Sequence, residues 1–233
     1  MGFSNKLNGV RFDSDKVFNS LGLPFLNGLT SEFILSKSLA ASQRNLATGT
    51  NDLTELNSPT WLENSIIYST STVNTGVQAA VSTSVANTMV LVAKKNWGSG
   101  FAASGGNVGM TGITAANTCA YRVGAYTGVG EEPAIANSAL PSGFICFIGR
   151  GGPGVLGKLS AWNGGSEIVG TGSINGASNT GTLKLGGDDG ANSNGSFEAA
   201  YFAHFNRVLS DEECVQVYLS LKSYLATRGV AVS

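Results

Sequence analysis

Gly195–Ser196–Phe197–Glu198–Ala199–Ala200–Tyr201–Phe202–Ala203–His204–Phe205–Asn206–Arg207–Val208–Leu209–Ser210–Asp211–Glu212–Glu213 decides how this chain folds. It reads as a glycine turn, a long apolar strand, a short turn and the start of a helix. Ser210 is placed to N-cap that helix, and Glu213 to reach back and complete a capping box. Leu209 and Cys214 stand where a hydrophobic staple forms, and Asp211 and Glu212 put negative charge at the first turn, where the helix dipole favours it. Cys214, Val217, Tyr218, Leu221 and Leu225 then recur at helical spacing, and Gly229 closes the pattern as a C′ residue. The spacing predicts a helix over 210–228, expected to lie across the edge or mouth of a β-structure.

Upstream of that stretch the chain is nearly all β. Thr88–Met89–Val90–Leu91–Val92–Ala93–Lys94–Lys95 is a near-continuous apolar run and reads as a central strand buried on both faces. Gly143–Phe144–Ile145–Cys146–Phe147–Ile148–Gly149 is a second core strand. Glu32–Lys37, Ile66–Thr70, Tyr121–Tyr126 and Gly181–Gly187 are further strand candidates. Lys158–Trp162 is expected to run into a tight turn at Asn163–Gly164, where both central residues take positive φ.

Composition agrees. Of 233 residues, 32 are Gly and only 12% are charged, which suits short strands joined by tight turns better than a helical bundle. With 42% hydrophobic residues the chain can bury a core. The net charge is −1 and Lys94–Lys95 is the densest cationic spot, so no basic footprint for nucleic acid exists. The three cysteines, Cys119, Cys146 and Cys214, have no metal-ligand spacing and are expected as buried free thiols. No apolar stretch has signal-peptide or membrane-spanning length, so neither export by a visible signal nor membrane insertion is expected. Residues 1–35 carry Phe12, Phe18, Phe25 and Phe33 without a clear period. They are expected to form an apolar arm that packs on the sandwich or into a partner, ahead of one domain over 36–233.

The strand–turn–helix ending, with Asn206–Arg207–Val208–Leu209–Ser210–Asp211–Glu212–Glu213 at its centre, resembles the closing segment of the concanavalin A-like lectin/glucanase sandwiches in their laminin-G-like form. An Asn-Leu segment at Asn45–Leu46 and the Ser58–Pro59–Thr60–Trp61 turn before a strand are similar to the opening of that family. The resemblance runs from about Ser42 to Arg228. It implies an all-β fold, a two-sheet antiparallel jelly-roll sandwich with a C-terminal helix. The family spans lectins, glucanases, adhesion modules and domains of tailed-phage structural proteins, so fold alone does not choose a function.

Glucanases of the family carry a Glu-x-Asp-x-x-Glu strand. The 15 acids of this chain are scattered and form no such triplet, so no catalytic residues are assigned and the chain is not expected to be an enzyme. Glu131–Glu132 reads as a solvated turn. The single histidine, His204, reads as a packed or surface residue in the last strand. Gly149–Arg150–Gly151–Gly152–Pro153–Gly154 lacks the Lys-Ser/Thr ending of a phosphate loop and reads as a connection between strands. Asp188, Asp189, Asn192 and Asn194 offer hard oxygens in one loop, a candidate calcium site against the alternative of a plain hairpin loop. Of the three tryptophans, Trp61, Trp97 and Trp162, the last two adjoin glycine-rich turns. Trp97, Trp162 and Asn163 are therefore the candidate sugar-binding residues.

Three functions follow as expectations. The first is a structural virion protein of a tailed bacteriophage, a capsid decoration or tail adhesion module, docked to other virion proteins through residues 1–35 and able to bind host glycans. As phage surface proteins often are, it would be a homo-oligomer, a trimer among the forms expected. The second is a stand-alone carbohydrate-binding module, and the third a polysaccharide hydrolase.

Overall fold

The computed structural model describes residues 23–50, 52–69, 75–82, 84–94, 101–105, 108–111, 117–123, 132–173, 181–186 and 195–233. Two antiparallel sheets stack face to face. The first has eight strands: β1 (Leu29–Ile34), β3 (Thr60–Trp61), β4 (Ile66–Ser69), β6 (Asn87–Lys94), β11 (Phe144–Gly152), β12 (Val155–Asn163), β13 (Ser166–Gly172) and β15 (Ser196–Phe205). The second has seven: β2 (Leu53–Leu56), β5 (Gly76–Ser82), β7 (Phe101–Gly105), β8 (Val108–Thr111), β9 (Thr118–Val123), β10 (Ala134–Ala136) and β14 (Thr182–Gly186). In space the first sheet runs β13-β12-β11-β6-β15-β4-β3 and the second β10-β9-β8-β7-β14-β5-β2. The crossed strand order and the antiparallel ladders make this a jelly-roll-like sandwich, the class expected.

Strand β15 organises the first sheet. One side pairs with β6 along Ala199–Phe205. The other side is shared end to end: β4 pairs with Ser196–Ala199 and β1 with Tyr201–Phe205. The register shifts between Ala199 and Tyr201, a bulge that exchanges the two faces of the strand. Phe197, Ala199 and Phe202 thus face the space between the sheets, while Ala200, Tyr201, Ala203 and Phe205 face away from it. Residues 29–34, which the sequence reading assigns to the arm, are strand β1 inside this sheet, so the sandwich starts before residue 36. The arm's first 22 residues lie outside the described part.

Two apolar layers result. Between the sheets lie Phe33, Tyr68, Met89, Leu91, Ile145, Phe147, Leu159 and Leu183, among others. On the outer face of the first sheet lie Val90, Val92, Cys146, Ile148 and Trp162, covered by helix α2 (Asp211–Ala226) through Cys214, Val217, Tyr218, Leu221 and Leu225. The helix does not cross the edge or mouth, as the sequence reading has it. It lies flat on the first sheet. The reason is written in β6 and β11, whose uninterrupted apolar runs leave two faces to cover, and one opposing sheet covers only one. The three cysteines are buried and outside any disulfide, in accord with the reading, and burial pushes Cys119 and Cys214 up to about 12.

Both helix ends form as the sequence predicts. Glu213 N donates to Ser210 Oγ at 3.2 Å and Ser210 N to Glu213 Oε2 at 2.8 Å, completing the capping box. Gly229, at φ 79°, lets Gly229 N reach Ala226 O and Val230 N reach Leu225 O, a Schellman ending. Buried Arg150 on β11 locks the start of the helix, donating to Leu209 O at 2.9 Å and to Asp211 Oδ1, which Lys158 Nζ also reaches. Arg207 binds Glu213 through two bonds of 2.8 and 2.6 Å and donates from Nε to Asn27 O. That fork, with the Phe25 ring tilted against Phe205 at 5.8 Å, ties residues 25–28 to the strand–helix turn.

Glycines set two details. The turn after β12 is centred on Gly164 and Gly165, at φ 61° and 89°, with Asn163 paired to Ser166, so positive φ falls one residue later than expected. The run Gly149–Gly154 is the end of β11 and its hairpin into β12, not a ligand loop. Gly149 is there for space: a Cβ would overlap the ring of Tyr121, fully buried and donating to Asn87 Oδ1 across the sheets at 2.5 Å. Gly149→Ala is expected to lower stability by about 1–3 kcal/mol in urea unfolding, as overpacking does. An unchanged midpoint would show that the ring yields freely.

Candidate functional site

Of the candidate sugar residues, Trp162 is in the wrong place. It is 2% exposed and stacks face to face on Tyr218 of the helix, with centroids 4.4 Å apart and planes 3° from parallel. Strand alternation points it under α2, so its faces are covered by protein rather than offered to a ligand. Asn163, its neighbour, is exposed and donates from Nδ2 to Ala139 O at 3.2 Å. Trp97 and the candidate calcium ligands Asp188, Asp189, Asn192 and Asn194 lie outside the described residues. Among the described residues, no three His, Cys, Asp or Glu side chains gather as a metal site.

Of the two tryptophans among the described residues, Trp61 is the one that reaches the surface. It lies on β3, the last strand of the first sheet, and is half-buried. Its Nε1 donates to Glu55 Oε1 at 2.5 Å, and Glu55 is exposed on β2, the last strand of the second sheet. This one bond joins the two sheet edges and fixes the indole against the sandwich flank. The chain gets from β2 to β3 through Asn57 and Ser58, at φ 48° and 53°, then Pro59. Two successive left-handed residues give the tight reversal that brings residue 61 back beside residue 55. Thr54 Oγ1, also exposed, donates to Gln78 O. Lys37 and Glu63 pair at 2.9 Å close by, since Lys37 N donates to Leu62 O.

The same flank continues into the loop before β2. Asn45 is fully buried and uses its whole amide: Oδ1 accepts from Glu32 N and Ala47 N, while Nδ2 donates to Thr30 O and Asp52 Oδ2. Asp52 Oδ2 also accepts from Thr50 Oγ1 at 2.7 Å and Thr48 Oγ1 at 3.2 Å. Burial raises the Asp52 pKa, but the bonds from Thr50, Asn45 and Thr48 outweigh it, and the carboxyl is held below its ordinary value. The flank therefore offers one aromatic face, two carboxylates and three hydroxyls. Proline just before a two-residue strand was the only sign in the sequence that Trp61 sits at an edge; nothing there marked Glu55 as its partner.

His204 is packed, as the sequence reading prefers. It is fully buried, its Nδ1 lies 2.6 Å from Thr30 Oγ1, and that hydroxyl donates to His204 O. The ring's other nitrogen, Nε2, is buried without a partner among the described residues.

No protein-family model matches the chain and no curated protein matches it in sequence. Solved structures do match. The chain resembles a Trypanosoma rangeli sialidase in complex with sialic acid at TM-score 0.59 and 12% identity, over 84% of this chain and 33% of that one. It resembles the binding domain of botulinum neurotoxin DC in complex with SialylT at TM-score 0.57 and 10% identity, over 84% and 52%. The same binding domain in complex with rat synaptotagmin II gives 0.56 and 9%, over 83% and 52%. The chain thus spans a third of the sialidase and half of the toxin domain. At these identities the likeness is one of fold, an all-β sandwich.

Burial pushes the His204 pKa down to about 4, from the 6.5 it has when exposed. The unfolded chain therefore takes up the proton first. Stability is complete above pH 6.5 and falls as the pH drops towards 4, by up to about 3 kcal/mol. Thermal melts across that window should show the loss, and His204→Gln should flatten it. An equal slope in the variant would assign the loss to other groups.

Proposed function

We propose that this chain is a non-catalytic recognition module of the concanavalin A-like, laminin-G-like kind, and that it binds a glycan at the Trp61 flank. The observation that carries the reading is the Trp61–Glu55 bond. It holds a partly exposed indole as a platform with a carboxylate at its rim, and Thr54, Asp52, Thr50 and Thr48 continue the polar surface. An aromatic face with a few fixed polar groups is what sugar recognition requires. Support also comes from the solved structures of like fold, two of which are complexes with sialic acid and with SialylT. Hydrolysis fits less well. A glycosidase needs a carboxyl with a raised pKa as its acid, and Asp52 is held low instead.

The charges favour a neutral sugar. An anionic group about 4 Å from Glu55 would meet a repulsion of about 4 kcal/mol near the surface. The nearby Lys37 is already paired with Glu63. A glycan array should return hits among neutral oligosaccharides, with Trp61→Ala weakening them about tenfold or more, and Glu55→Gln leaving the stack in place. An array without hits, or hits that Trp61→Ala leaves intact, would overturn the reading. Hits confined to sialylated glycans would overturn its preference for neutral sugars.

The finer reading is that the module is displayed on the particle of a tailed bacteriophage, as capsid decoration or tail adhesin. It is supported by the laminin-G-like resemblance and by the apolar residues of segment 1–22, among them Phe3, Phe12 and Phe18. That segment joins the sandwich at Leu23, which is buried in the apolar layer under α2. Residues 1–22, rather than 1–35, would then dock on other virion proteins. An antibody against the sandwich is expected to label purified particles in electron micrographs; unlabelled particles would end this reading.

A further inference from the structure

We infer that strand β13 is the site at which two copies of this chain join, edge to edge and antiparallel, into one continuous sheet. A sheet edge is a row of unpaired amide and carbonyl groups, and folded proteins blunt such rows. Four edges here are blunted. Strand β1 is covered by the loop after α1 (Leu39–Ser42): Glu32 N donates to Asn45 Oδ1, Leu46 N to Glu32 O, and Asn45 Nδ2 to Thr30 O. Strand β3 is two residues long and β10 three, the latter directly after Pro133. Strand β2 has four residues, carries Glu55 and is capped at Leu53 N by Gln43 O.

Of these devices strand β13 has only a single charge, Glu167. It is seven residues long, Ser166-Glu167-Ile168-Val169-Gly170-Thr171-Gly172, with neither proline nor lysine. Every residue of it pairs with β12 on one side, and among the described residues no strand pairs with it on the other. Its centre shows Val169, 45% exposed, and the hairpin entering β12 shows Val155 and Leu156, 45% and 56% exposed. Gly170 explains why the second sheet does not cover this edge: β10 presses on its inner face so closely that a Cβ would overlap Ala134.

The sequence of β13 fits its own reverse. In an antiparallel twofold pairing centred on Val169, each valine meets its mate, and Glu167 of one copy falls opposite Thr171 of the other. The only charge on the strand never faces itself, so the pairing carries no like-charge penalty. The edge that joins lies at the opposite end of the first sheet from β3. The pair would therefore carry its two Trp61 flanks at the far ends, spaced for two-point attachment to a surface. The inference does not depend on what those flanks bind.

The test is the mass of the intact chain in solution as concentration rises, by sedimentation equilibrium. The wild type is expected to shift from monomer to dimer, and amide exchange in β13 to slow as it does. Val169→Lys sets two ammonium groups against each other across the twofold axis and should weaken association about tenfold or more, with unchanged thermal unfolding. Leu219→Lys, on the exposed face of α2, should leave the dimer intact. A chain that stays monomeric overturns the inference. So does a dimer that survives Val169→Lys, or one that only Leu219→Lys dissolves.

Discussion

Burial of the first sheet on both faces is the constraint from which the rest of this structure follows. Strands β6, β11 and β15 have no polar side to turn to water: β6 is buried from Asn87 to Ala93, and β15 from Phe197 to Phe205. One face is covered by the second sheet and the other has to be covered by something else. Helix α2 does this, and it must lie across the sheet rather than at its rim. The ion pairs and caps at the start of the helix are consequences. Arg150, emerging from the buried face of β11, can reach Leu209 O and Asp211 only because the helix begins directly over it.

The bulge at Ala200 solves a second problem on the same strand. Two short strands, β1 and β4, share one side of β15, and Leu35 N reaches Ala200 O at their junction. The bulge lets Phe197 and Phe202 both face the inter-sheet core although they are five positions apart, an interval that would otherwise put them on opposite faces. It also turns His204 to the inner side, opposite Met89 on β6, where its Nε2 is buried. The acid-sensitive group and the register shift thus share one cause.

The flank that carries Trp61 is where the two sheets come to an end together. A sandwich has to finish somewhere on each side, and the two sides finish differently. On one, Trp61, Glu55 and the Asn45–Asp52 loop tie the edges with side-chain hydrogen bonds, leaving polar groups and an aromatic ring at the surface. On the other, Gly170 lets β10 close down on β13, whose outer side has no strand partner among the described residues. The proposed recognition flank and the inferred self-association edge thus fall at opposite ends of one sheet.

Local patterns were legible in the sequence because their physics is local. The capping box of Ser210 and Glu213, the helical spacing from Cys214 to Leu225, the Gly229 ending and the two-faced apolar run of β6 all involve residues within a few positions of one another. They read correctly, and with them the all-β class and the C-terminal helix. What only the tertiary structure decided involved residues far apart. Trp162 looks like a turn-side sugar platform until Tyr218, 56 positions later, stacks on it. Residues 29–34 look like an arm until β15 supplies their hydrogen-bond partners. Trp61 comes to sit half-buried at the flank because strands from two different sheets end side by side. Periodicity states which face of an element is apolar; which other element covers that face is settled by packing among all of them at once.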